Sequence, residues 1–122
     1  MKTIKLVYCI GSLYKKGGTE KVLSNKVNFF VNNYGYEIHI ITEDQKDMPL
    51  GYDFDERVIF HDIGMSKWNN KYSIKGFTFL FNIFKLRKLY SILFNKIKPD
   101  IIVVCERGYL DYVIPFVTKQ VP

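Results

Sequence analysis

Hydrophobic and polar positions follow two rhythms along the chain. Residues 4–10, Ile-Lys-Leu-Val-Tyr-Cys-Ile, form an almost unbroken apolar run. That predicts a central parallel strand covered on both faces. A loop follows, Gly11-Ser12-Leu13-Tyr14-Lys15-Lys16-Gly17-Gly18. The step then changes. Leu23, Val27, Phe30, Val31 and Tyr34 recur at helical spacing, the stripe of an amphipathic helix over about residues 19–34. Thr19 is the expected N-cap, Glu20 an acid in the first turn, and Gly35 the left-handed stop.

Residues 36–42 return to a strand pattern, and 43–57 are polar and turn-rich, a surface loop. Residues 58–63 are a third strand closed by Gly64, and 65–75 a second loop carrying Trp68. From 76 to 97 the longest helix is expected, with Phe79, Ile83, Leu86, Tyr90, Leu93 and Ile97 as its stripe and Leu80, Phe84 and Phe94 widening it. Lys98-Pro99-Asp100 breaks it and launches residues 101–105 as a fourth strand; residues 109–118, with Pro115, read as a last short helix. The order β-α-β-β-α-β-α predicts an α/β fold: a mainly parallel sheet with right-handed crossovers and helices on both faces, three layers in all.

A strand feeding a helix through glycines gathers backbone N–H groups at a helix N-terminus, the outline of a phosphate or anion site. Gly17 and Gly18 would also let a ligand approach the main chain, and Lys15 and Lys16 flank them. Glu106, Arg107 and Gly108 follow the fourth strand at its carboxyl end, where ligands of open α/β sheets bind. Glu106 and Arg107 could orient acceptor hydroxyls or phosphate, or could form an ion pair or helix cap. His39 and His61 lie within strand patterns and read as structural.

Gly17-Gly18-Thr19-Glu20, the helix after it, and the strand signature from Gly35 and Glu37 together resemble the start of a family 4 glycosyltransferase. The resemblance implies one Rossmann-like half of a two-domain GT-B enzyme, residues 1–122 being its N-terminal, acceptor-side domain. It implies retaining, metal-independent transfer from a nucleotide sugar to a hydroxyl acceptor, either a saccharide or a lipid-linked glycan. Gly17, Gly18, Thr19 and Glu20 would form the loop near the donor diphosphate and acceptor, with Glu20 bracing it. Cys105-Glu106-Arg107 departs from the commoner family pattern, in which a histidine often stands in this region. The family's important histidine and its Glu-x7-Glu motif would lie beyond Pro122. The chain is therefore expected to be a piece of such an enzyme, inactive alone and self-associating through an uncovered edge. Catalytic residues are not assigned.

Composition narrows this little. The 122 residues are 48% hydrophobic and carry a net charge of +6, which suits phosphorylated or anionic partners. The lysines are scattered, which argues against nucleic acid. Cys9 and Cys105 stand in apolar strands and read as buried free thiols, and neither cysteine nor histidine spacing suggests a metal. No cofactor is expected. No signal peptide and no apolar run of about 18 residues is present, so a cytoplasmic location is expected. Lys85, Arg87, Lys88 and Lys96 give the long helix a basic character, so peripheral contact with the inner membrane face is a further expectation. Two other readings stay open: a nicotinamide-binding domain with Glu43 or Asp44 at the ribose, although G-x-G-x-x-G is missing, and a non-enzymatic accessory subunit.

Overall fold

The first strand is where burial is most complete. β1 (Lys5–Ile10) has five consecutive buried residues, from Leu6 to Ile10. It pairs in parallel with β2 (Glu37–Thr42) on one side and β4 (Ile101–Val104) on the other, and β2 pairs in parallel with β3 (Ile59–Asp62). The order β3-β2-β1-β4 makes a four-stranded, all-parallel sheet. The α/β class expected from the alternation is the one observed. The structure is a computed structural model and describes residues 3–68 and 75–105, with backbone alone for 75–79.

Helix α1 (Gly18–Tyr34) connects β1 to β2. Its stripe Leu23, Val27 and Val31 packs on Leu6, Tyr8 and Ile10 of β1 and Ile38 and Ile40 of β2, with Leu13 and Val58 closing the cluster. The alternate residues Val7, Cys9 and Ile41 are fully buried as well. Each such Val or Ile contributes roughly 1.5–3 kcal/mol relative to exposure. The expected N-cap is corrected: Gly17 holds that position in an extended conformation, and Thr19 lies inside the first turn. Gly35 closes the helix with φ +65°, its N–H donating to the Val31 carbonyl.

Residues 43–57, expected as a plain surface loop, are tied down across α1. Ser24 Oγ and Asn28 Nδ2 both donate to the Asp53 carbonyl (2.9 and 3.0 Å), and the Asp55 N–H donates to Asn28 Oδ1 (2.7 Å). Arg57 reaches Asn32 Oδ1 at 2.7 Å and holds the Asp55 carboxylate. Ser24, Asn28 and Asn32 are four residues apart, so they line up along one face of the helix. The bonds from Arg57 lower the Asp55 carboxyl to about 2. Its stabilising effect is therefore complete above its ordinary value near 4 and is lost as pH falls toward 2.

The described residues divide into two compact units, one running to Ser66 and resuming at Pro99, the other Lys67–Lys98. The second holds α2 (Lys75–Ile97), whose buried positions are Asn82, Leu86, Tyr90, Phe94 and Ile97. Leu80 and Phe84, expected to widen this stripe, are exposed by 50% and 61%. At 3.6 residues per turn Phe84 sits roughly 160° around from Leu86, too far for one apolar arc. Lys85 Nζ lies 4.3 Å from the Trp68 ring centroid, a cation–π contact. The helix expected over 109–118 lies outside the described residues.

Asn28→Ala would strand the Asp55 N–H and remove one donor from the Asp53 carbonyl. Urea unfolding is expected to show a loss of about 1–3 kcal/mol, with the helical signal retained.

Candidate functional site

The strand order reverses between β1 and β4, since β2 and β3 lie to one side of β1 and β4 to the other. That point, at the carboxyl ends of the strands, is where open α/β sheets bind ligands. The loop leaving β1 and the N-terminus of α1 stand there.

The loop is rigidly held. Leu13 is buried and has both backbone groups taken: its N–H donates to Gln45 Oε1 at 2.7 Å, and its carbonyl accepts the Gly51 N–H at 2.7 Å. The Asp44 N–H donates to the Gly11 carbonyl at 3.0 Å. Gln45 is itself fixed, its N–H on Asp62 Oδ1 (3.0 Å) and its Nε2 on the Met48 carbonyl (3.1 Å). Thr42 Oγ1 donates to the same Asp62 oxygen at 2.9 Å. The segment after β2 is thus a strap over the glycine loop. Gly51 makes the crossing possible, because a Cβ there would sit 2.6 Å from the Lys15 carbonyl oxygen.

Gly17 and Gly18 differ. A Cβ on Gly17 would meet Glu20 Oε2 at 2.5 Å; one on Gly18 would meet nothing within 4 Å. Glu20 is buried and turns its carboxylate back over the N-cap, three residues before it. That is the place of an acid that steadies a helix start. Gly18 and Thr19 are exposed. The first intrahelical bond runs from Lys21 N–H to the Gly17 carbonyl, so the amides of Gly18 and Thr19 have no acceptor within the helix. Lys15 and Lys16 are exposed on the loop. Glu106 and Arg107 lie outside the described residues.

Two cavities open at this edge. One, of about 450 Å³, is lined by Tyr8, Gly18, Thr19, Val22, Leu23, Lys26, Val103 and Cys105. The other, of about 270 Å³, lies by the ends of β2 and β3, and its polar residues Thr42, Gln45 and Asp62 are hydrogen-bonded to one another. Asp44, one candidate for a ribose contact, accepts from Ser66 Oγ at 2.9 Å.

The remaining candidates lie within the sheet. His39 Nε2 donates to Glu37 Oε2 at 2.9 Å, and in the neutral pair its Nδ1 accepts from His61 Nε2 at 2.9 Å. Lys5 Nζ is 3.9 Å from the same Glu37 oxygen. Glu37 opens β2, at the opposite end of the strand from Thr42, so it serves this network rather than the carboxyl edge. Cys9 and Cys105 are free thiols, and the Cys105 N–H bonds the Cys9 carbonyl at 2.9 Å. Burial above all, with Cys105 and Glu43 adding, pushes the Cys9 thiol up, so it stays protonated and is no nucleophile. Among the described residues no group of three or more His, Cys, Asp and Glu side chains could hold a metal ion, and no helix is long and apolar enough to cross a membrane.

No protein-family model, curated protein sequence or solved structure matches the chain.

The two glycines 51 and 18 make opposite demands. Gly51→Ala pushes a methyl into a carbonyl and is expected to lower stability by about 1–3 kcal/mol. Gly18→Ala should leave the melting temperature unchanged or higher, since alanine favours helix. Thermal unfolding of the two variants checks both.

Proposed function

We propose that the chain is the acceptor-side, N-terminal part of a glycosyltransferase that moves a sugar from a nucleotide-sugar donor to a hydroxyl acceptor, a saccharide or lipid-linked glycan, with retention. What supports it most is Gly18. The fold does not need a glycine there, yet one stands at the first turn of α1, at the switch point of the sheet, where a side chain would keep a ligand from the main chain. The Gly-Gly-Thr-Glu unit and the Gly35 and Glu37 signature of the second strand add the family resemblance.

In this reading the amides of Gly18 and Thr19 face the donor diphosphate and Glu20 braces the loop. The contribution is positioning, together with stabilisation of charge on the leaving diphosphate. The resembled family's donor-sugar motif, Glu-x7-Glu, does not occur in the 122 residues, so no catalytic residue is assigned to them. Residues Glu106 and Arg107 remain proposed acceptor contacts. Transfer needs no metal or cofactor here and takes place at the cytoplasmic side of a membrane. The exposed Leu80, Phe84 and Ile92 of α2, with Lys85, Arg87 and Lys88 among them, suit an anionic bilayer surface.

A titration of the isotope-labelled chain with UDP-glucose, GDP-mannose and NAD⁺ tests the site. A nucleotide sugar is expected to shift the Gly17, Gly18 and Thr19 amides, and Gly18→Ala to weaken that response at least fivefold. A response to NAD⁺ alone would replace the transferase by a nicotinamide-binding domain. For the membrane contact, co-sedimentation with phosphatidylglycerol vesicles should fall in Phe84→Glu; equal binding of both proteins would exclude α2 as the contact.

A further inference from the structure

Phe60 and Asp62 stand two residues apart on β3, so their side chains share one face of the sheet. Both line the smaller cavity, of about 270 Å³, together with Leu13 and the strap residues Met48 and Leu50. Phe60, Met48 and Leu50 are 40%, 50% and 41% exposed, so three large apolar side chains surround one opening. Apolar side chains gathered in this way, with a polar rim, mark ligand grooves. The strap wall is held there against backbone preference. Lys46 and Asp47 both take the left-handed conformation, with φ +55° and +54°, and the Met48 N–H closes the turn on the Gln45 carbonyl at 3.0 Å.

The polar side chains of the lining can be accounted for atom by atom. Thr42 Oγ1 and the Gln45 N–H both donate to Asp62 Oδ1, at 2.9 and 3.0 Å. Gln45 Oε1 accepts from the Leu13 N–H, and its Nε2 donates to the Met48 carbonyl. Asp62 Oδ2 is left, with no bond among the described residues. Two bonds on one oxygen fix the carboxylate and so aim the other. A ligand that fits carries a hydrogen-bond donor beside an apolar face. Two chemistries offer that: a sugar ring, with hydroxyls on its rim and C–H groups on its faces, and an alkylammonium ion. The net charge of +6, with Lys46 at the strap tip over the Tyr14 ring, opposes a further cation and favours the neutral hydroxyl.

We propose that the cavity between the strap and β3 binds one neutral pyranose ring of a saccharide, a hydroxyl on Asp62 Oδ2 and the C–H face of the ring on Phe60 and Met48. The binding stands by itself, and its role as an acceptor subsite rests on the transferase reading. In that role it selects the acceptor. β3 lies two strand spacings, about 10 Å, from β1, so a ligand reaching from the glycine loop to Asp62 is a saccharide of several rings rather than a single sugar.

Amide and aromatic-ring NMR of the whole chain is titrated with maltose, cellobiose, lactose and diacetylchitobiose. Cyclohexanol and tetramethylammonium are the controls. At least one disaccharide is expected to give saturable shifts at Phe60, Asp62 and Met48, with cyclohexanol weaker and tetramethylammonium silent. Asp62→Asn keeps an oxygen for Thr42 and Gln45 but turns the second position into a donor. It should weaken that disaccharide about tenfold while leaving the Leu13 and Gln45 amides in place. Phe60→Leu, at an exposed position, should fold normally and weaken the disaccharide too. No disaccharide that shifts these residues, undiminished binding by both variants, or tetramethylammonium binding as well as the sugars overturns the proposal. These shifts are read on β3 and the strap, whereas the nucleotide-sugar titration is read at Gly17, Gly18 and Thr19, so the two readings fail separately.

Discussion

The structure depends on how the chain leaves β1. A strand buried on both faces must deliver its next residues to the surface without leaving backbone groups unpaired. Here the segment after β2 meets that need. It takes both backbone groups of Leu13, through the Gln45 side chain and the Gly51 N–H. With Leu13 fixed inside, the following residues emerge at the carboxyl edge and Gly17 starts α1 at a set place. The same segment then runs along the polar face of α1, held by Ser24, Asn28 and Asn32. Strap, loop and helix therefore form one cooperative piece.

This arrangement separates two uses of glycine. Gly51 and Gly35 are demanded by the fold, one by a close carbonyl, the other by a left-handed φ. Gly18 answers to neither demand. A residue that gives up helix stability with no structural return, at the point where such sheets bind ligands, is best explained by what approaches it. Glu20 complements this: its carboxylate turns back over the N-cap, while Gly18 and Thr19 stay exposed.

Much of the fold was legible because burial leaves a periodic trace. Leu23, Val27 and Val31 mark the inner face of α1, and the apolar run into Ile10 marks a strand covered on both sides. The strap was not legible. Gln45, Asp53 and Gly51 act through individual hydrogen bonds to main chain and side chains, which carry no period and look like any polar loop. The N-cap was misplaced because Thr19 is the better capping side chain, whereas Gly17 is set there by the loop. On α2, aromatic residues occur all round the helix, so Leu80 and Phe84 read as core until the geometry turned them outward. Of the site, the glycines are visible as a motif, while the hydrogen bonds that fix Leu13 leave no trace in the pattern.

The central claim is that the glycine loop is pre-formed by the strap before any ligand binds. Native-state hydrogen exchange of the free chain measures it at two amides, Leu13 and Gly51. Protection at both comparable to the β1 and β2 amides is the result the account predicts. Exchange at the rate of an open loop, with the strands still protected, would contradict it, because the loop would then be ordered only by its ligand.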